Sequence, residues 1–178
     1  MSSIRNIYLP HYTYEDYKQW EGRWELIYGI PYAMSPLPSI RHQRINGNIF
    51  GQLQKNLSGC KECQPLIPVD WKIAEDTVVQ PDISVICHTA NGNYLQQAPV
   101  LIFEIFSPST KEKDQNVKYE LYEKAGVKYY VLVDPDLEKV SLYQQITGKY
   151  QLIKGEFNGN FNFELNPCTV AFDFSSIW

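Results

Sequence analysis

The sequence predicts a single α/β domain of mixed α+β character over residues 1–178, with a mixed β-sheet flanked by helices and extra β-hairpins. Three observations lead there. Strand-like and helix-like stretches interleave along the chain, the pattern of a sheet covered by helices. Val100–Phe106, a helical stretch over 112–125 and a strand at 128–133 form a strand–helix–strand unit, and the crossover rule makes its two strands parallel. Turn signals at Tyr28-Gly29 and Gly148 divide two further strand-like runs into hairpins. At 178 residues and 20.7 kDa, with 44% hydrophobic and 20% charged residues, the chain can bury one full core and is not of disordered composition.

Taken in order, Thr13 is positioned to cap a short helix, with Asp16 three residues on and Tyr17 and Trp20 on an apolar side. Residues 23–34, RWELIYGIPYAM, read as two short strands around Tyr28-Gly29. Ser35–Ser39 is a proline-rich loop whose last serine can cap the next helix. That helix is expected from Ile40 to about Leu57, because Ile45, Ile49, Leu53 and Leu57 recur every four residues. A strand is expected over 66–73, a turn at Glu75-Asp76, and a strand from Ile83 to Cys87 after Pro81-Asp82. His88–Ala98 is a polar loop before the Val100–Phe106 strand. The second helix stops at Gly126, a C-terminal signal, and Asp134-Pro135-Asp136 closes the strand that follows. Residues 139–145 and 149–153 pair around Gly148. The aromatic, strand-prone tail from Phe157 to Trp178 fits either core packing or subunit contact, and we expect it to pack on the domain.

Composition excludes several classes of function. No apolar run approaches the roughly 20 residues of a membrane helix. The first ten residues lack the features of a secretory signal, so a soluble cytoplasmic protein is the expectation. A net charge of −4 argues against a broad basic surface for nucleic acid, while allowing a small local one. Cys60-Lys61-Glu62-Cys63 is a C-x-x-C pair. A structural zinc needs four ligands and no second such pair exists. A redox pair opens a helix after a strand, whereas this one follows a helix-like segment. The expectation is two thiols in a loop.

The chemistry centres on two carboxylates. Alternation along Val100–Phe106 places Ile102, Glu104 and Phe106 on one face and Leu101, Phe103 and Ile105 on the other. A buried carboxylate among apolar neighbours takes up a proton unless a cation holds its charge. A divalent ion with oxygen ligands could do so, with Asp82 at the head of another apolar run as the second ligand. The plainer explanation is an ion pair to arginine or lysine, or, for Asp82, turn chemistry after proline. Lys118 lies four residues after Asp114, which fits a helix-surface ion pair. It equally fits an ammonium delivered to the carboxylates, where it could orient or deprotonate a water or stabilise phosphate charge. The residues alone leave this open. Arg41, His42, Gln43 and Arg44 lie in the first turn of a helix, where arginine opposes the helix dipole; anion contact would account for it, as would a solvated face.

Several ordered elements together resemble the bacterial restriction-endonuclease-like family of the PD-(D/E)XK nuclease superfamily. They are Val79-Gln80-Pro81-Asp82, Phe103–Thr110, Asp114, Lys118, Tyr122, Ala125-Gly126-Val127 and Tyr130–Pro135. Residues 24–29, Ser35-Pro36 and Arg41-His42-Gln43 fit the same family's N-terminal part, so the resemblance runs from about Tyr14 to Trp178. It implies a restriction-endonuclease-like core and phosphodiester hydrolysis dependent on Mg2+ or Mn2+. By position it makes Asp82 and Glu104 the metal ligands and Glu25 an upstream acid that assists metal or water. The superfamily lysine two residues beyond the second acid is replaced here by Phe106, and Lys118 on the following helix takes its place.

The catalytic set implied is therefore Glu25, Asp82, Glu104 and Lys118. Arg41, His42, Gln43, Arg44, Lys111 and Lys113 are candidate substrate contacts. DNA is the expected partner, and a homodimer the expected assembly, since two-fold symmetry suits a two-stranded substrate. Two other classes compete. One is a non-catalytic nucleic-acid-binding or regulatory protein on the same fold, disfavoured by the four residues together. The other is a two-carboxylate glycosidase, which Lys118 and the Ser-Pro-Ser-Thr turn do not support.

Overall fold

The computed structural model describes residues 10–34 and 38–178. The loop read at Ser35–Ser39 therefore falls largely outside the described residues, as do the first nine residues. Helix α1 (Tyr14–Tyr17) starts where Thr13 gives its backbone N–H to Asp16 Oδ2 at 2.8 Å. Strands β1 (Trp24–Ile27) and β2 (Ile30–Ala33) pair antiparallel, and both turn residues have positive φ, 52° at Tyr28 and 75° at Gly29. That is the turn geometry that matches strand twist in a two-residue hairpin. Helix α2 (Ile40–Asn56) is capped by Ser39, whose side chain accepts from the His42 N–H.

The strand expected over 66–73 is two strands in two sheets, β3 (Gln64–Leu66) and β4 (Trp71–Ala74). Pro68 explains the break, because it supplies no ladder N–H and restrains the residue before it. Strands β5 (Thr77–Val79) and β6 (Ile83–Ile86) follow, then β7 (Leu101–Ile105). The second helix differs from a regular one. It opens as α3 (Lys111–Lys113), widens into a π-turn over Asp114–Lys118, and closes as α4 (Tyr119–Ala125) with Gly126 left-handed at φ 87°. Strands β8 (Tyr129–Asp134), β9 (Lys139–Ile146), β10 (Lys149–Phe157), β11 (Asn160–Glu164) and β12 (Thr169–Asp173) complete the order.

A six-stranded mixed sheet, β10-β9-β8-β7-β6-β3, forms the centre, with β7 and β8 parallel across the helical crossover and its other pairs antiparallel. A four-stranded sheet β2-β1-β5-β4 and the β11-β12 hairpin stand apart from it, so the hairpin at Tyr28-Gly29 joins a sheet of its own while the hairpin at Gly148, β9-β10, forms the edge of the central sheet. One face of the central sheet, with Leu101, Phe103 and Ile105, packs on Ile45, Ile49 and Leu53 of α2 and on Phe163, Phe172 and Phe174 of the tail. The aromatic tail is thus core. The other face, with Ile102, Tyr130 and Leu132, meets Leu121 and Tyr122 of α4 and Trp71 and Val79 of the smaller sheet.

The loop-thiol expectation is overturned. Cys60 is bonded to Cys168 and Cys63 to Cys87, which leaves no free cysteine. The partners lie 108 and 24 residues away in sequence, so local spacing could not reveal them. Among the described residues, no helix is long and apolar enough to cross a membrane.

Candidate active site

Strand β7 carries Glu104 on the face turned away from α2, and the side chain is 3% exposed. Strand β6 pairs antiparallel with β7 through Ile83 and Phe103. Continuing that register by one residue sets Asp82 across from Glu104, the arrangement in which two carboxylates repel. Asp82 follows Pro81 where the chain leaves the small sheet for the central one. Its Oδ2 accepts the Ile105 N–H at 2.8 Å and lies 3.3 Å from His42 Nε2. Both acids line a cleft of about 520 Å³, together with Arg23, Arg41, His42, Lys111, Lys113, Asp114 and Lys118.

Behind the cleft lies a buried ion-pair network. Lys118 Nζ stands 2.9 Å from Glu104 Oε1, 2.9 Å from Glu25 Oε1 and 3.7 Å from Asp114 Oδ1. The π-turn has Asp114 at its start and Lys118 at its end, and both residues are buried. Such widenings recur at functional positions because they re-aim side chains that a regular helix would carry elsewhere. The Tyr130 hydroxyl donates to the Asp114 backbone carbonyl at 2.9 Å. The Tyr122 hydroxyl, one turn on, donates to Glu104 Oε1 at 2.8 Å.

Glu25 is fully buried and does not line the cleft. Its carboxylate accepts from Lys113 Nζ and from the Gln80 N–H, besides pairing with Lys118. Strand β1 therefore supplies, from behind the cleft, an anchor for two lysines that line it.

Burial pushes the Glu104 carboxyl up to about 8, with Asp114, Asp82 and Glu25 adding to the rise against the opposing pull of Lys118. Burial also raises the Asp114 carboxyl. Glu25 goes the other way: burial opposes its ionisation, yet Lys118 and Lys113 together hold it below the usual carboxylate range. Although burial disfavours its charge, Lys118 is held well above its ordinary value by Glu104, Glu25 and Asp114. It is an ammonium at any working pH. For His42, burial lowers proton affinity but Asp82 outweighs it, and the net shift is upward.

The donor set suits a hard divalent cation. Among the described residues, Glu104 Oε1 takes both of that side chain's hydrogen bonds and Asp82 Oδ2 both of that side chain's polar contacts, so Glu104 Oε2 and Asp82 Oδ1 have no hydrogen bond from a described residue. Two carboxylates with remaining positions left to water and substrate phosphate is the usual magnesium arrangement.

The other sequence candidates divide. Arg41 lines the cleft and pairs with Glu138 at 3.0 Å. Lys111 lines it, pairs with Asp134 at 3.0 Å and lies over the Phe106 ring. Lys113 points back to Glu25. Gln43 and Arg44 are exposed and lie outside the cleft, on the part of α2 turned from the core. Among the cleft's charged residues, Arg23, Asp114, Asp134 and Asp136 were not candidates from the sequence. Arg23, bonded to Gln80 Oε1, shares strand alternation with Glu25 two residues on, a signal that could have found it. Asp114 entered the sequence analysis as the i−4 partner of Lys118 and as one element of the family resemblance, with no site role; its Oδ1 is buried and has no hydrogen-bond partner among the described residues.

This cleft sits on a restriction-endonuclease-like α+β fold, and the comparisons agree. The family model described as "Putative restriction endonuclease" (Uma2) matches residues 14–170, and the chain belongs to that family. A solved structure titled as a putative nuclease belonging to DUF820, from Anabaena variabilis, superposes with a TM-score of 0.65. It is 19% identical and the match covers 91% of this chain and 84% of that one, a likeness of fold. No curated protein matches the sequence.

Proposed function

We propose that this chain is a DNA endonuclease hydrolysing phosphodiester bonds with Mg2+ or Mn2+, which Asp82 and Glu104 would hold. The observation that supports it best is the pairing of two cleft-lining carboxylates, each with an oxygen that no described residue bonds, beside an ammonium 2.9 Å from one of them. A bound divalent ion supplies Lewis-acid polarisation of a phosphate and acidifies water. The rest falls to the protein. Lys118, permanently charged, cannot take a proton from water; it acts by fixing Glu104 and by stabilising negative charge developing on the phosphate. Glu25 keeps Lys118 and Lys113 in place. Tyr122 and the Ile105 N–H orient Glu104 and Asp82, and His42 steadies the latter.

Arg41 and Lys111 at the cleft, each paired with an exposed or partly exposed acid, are suited to contact the DNA backbone. With a net charge of −4, backbone contacts alone give weak, salt-sensitive binding. A homodimer would present one site to each strand.

The test is incubation of supercoiled plasmid with the protein and Mg2+ or Mn2+, with EDTA and Glu104→Gln as controls. The expected result is nicked and linear product, abolished by EDTA and reduced by about 100-fold or more in the variant. Absence of cleavage in either metal contradicts the proposal. Cleavage retained by Glu104→Gln assigns the activity to another protein in the sample.

A further inference from the structure

All four cysteines of the chain meet at one place, and none of them lines the cleft. Cys60 lies in the turn after α2, Cys63 directly before β3, Cys87 directly after β6, and Cys168 directly before β12. Three separate chain segments thus converge there: the C-x-x-C stretch, the end of β6 and the start of β12. The sheet explains one pair, because β3 and β6 run antiparallel with Gln64 opposite Ile86, and one further step sets Cys63 opposite Cys87. The tail hairpin, packed on α2, explains the other.

The two members of the C-x-x-C pair are not bonded to each other. Each reaches a different distant cysteine. The sulfurs of Cys60, Cys63 and Cys168 nevertheless lie within 4.8 Å of one another, and Cys87 is joined to Cys63. Tetrahedral zinc with zinc–sulfur bonds of about 2.3 Å separates its sulfurs by about 3.8 Å. Three of the four sulfurs thus already lie near tetrathiolate spacing, and the fourth is bonded to one of those three.

We propose that the chain with its cysteines reduced binds one Zn2+ through Cys60, Cys63, Cys87 and Cys168, the two disulfides being the metal-free oxidised form. In a reducing compartment disulfides do not persist, and four adjacent thiols at the core's edge are a soft-metal site. Two equivalents of a dithiol reductant convert the two disulfides to four thiols, each dithiol leaving as a cyclic disulfide. Zinc binding then releases four protons and leaves a site of net charge −2. The second pair of ligands that the C-x-x-C lacks in sequence comes from β6 and the tail. The metal pins the end of α2, the edge strand β3 and the C-terminal hairpin together. Thiolates select zinc while the carboxylate cleft selects magnesium or manganese, so the two sites do not compete.

The experiment is metal analysis of the full chain, reduced with a dithiol, loaded with Zn2+ and dialysed without chelator. About one zinc per chain is expected. Titration of the reduced wild-type protein with Co2+ should give the intense visible absorption of tetrahedral cobalt thiolate, a readout that needs no variant to fold. Cys168→Ser and Cys87→Ser should each lose that spectrum, while Asp82→Asn keeps it. Reduced protein with four titratable thiols that retains no zinc and shows no cobalt–thiolate band overturns the proposal. So does zinc retained in full by both cysteine variants.

Discussion

On one face of β7, Leu101, Phe103 and Ile105 join α2 and the aromatic tail in one apolar cluster. On the other, a single residue's alternation places Glu104 against Lys118 and Tyr122, inside a network of four acids and two lysines. Five residues of one strand thus serve two purposes. The first face is held by area removed from water, which tolerates substitution of like for like. The second is held by charges whose burial is unfavourable until each finds its partner, so removal of one member leaves another stranded. The difference teaches that the face carrying the buried charges, beside its own apolar residues, is the one that opens to the cleft.

The largest effect expected from breaking this contrast is that of Lys118→Met. It strands Glu25 and Glu104 in the interior and should destabilise the protein by about 3–5 kcal/mol in urea unfolding. Adding Glu25→Gln should recover part of that loss, since the two residues are coupled. A Lys118→Met loss under about 1 kcal/mol would mean that water reaches the network and that the buried description is wrong.

On the apolar face, Phe172→Leu should cost about 1 kcal/mol, because its ring packs 5.4 Å from Phe103 and 4.8 Å from Phe174 without polar partners. Cleavage per folded molecule should be unchanged. A tenfold fall in cleavage at equal folded fraction would show that the two faces are not independent.

A smaller effect sharpens the contrast through pH. Glu104 titrates at about 8 in the folded chain, against an ordinary 4.5. Between those values the native state binds more protons than the unfolded state, so stability from this group is full below about 4.5 and is lost as pH rises through about 8. Asp114 and His42, both raised, act in the same direction. In EDTA the thermal midpoint should therefore fall from pH 6 to pH 9, with a shallower fall in Glu104→Gln. Identical slopes in the two proteins would remove the elevated glutamate from the account.

Much of the fold could be read from local pattern. The four-residue recurrence of Ile45, Ile49 and Leu53 marks the buried face of α2, Tyr28-Gly29 marks a hairpin, and Gly126 ends α4. The alternation around Glu104 placed both faces of β7 correctly. What escaped is non-local. Nothing in a helical repeat announces the π-turn that carries Asp114 and Lys118, since the widening is a response to packing against Tyr130 and Glu104. Glu25 reads as an acid among apolar residues, and only the assembled sheets show that it lies behind the cleft. The cysteine partners are set by the β3–β6 register and the tail's docking on α2, neither of which leaves a mark at Cys60 or Cys63.

The central claim is that Asp82 and Glu104 form a divalent-metal site, and calorimetric titration of Mn2+ at pH 8.0 (about the Glu104 titration point) tests it most directly. Oxidised protein, with its sulfurs bonded in pairs, keeps the cysteine cluster out of the measurement. The account predicts one binding event per chain in the wild type, weakened by about tenfold or more in Asp82→Asn and in Glu104→Gln. Binding of equal strength in all three proteins, or none in the wild type, would contradict it.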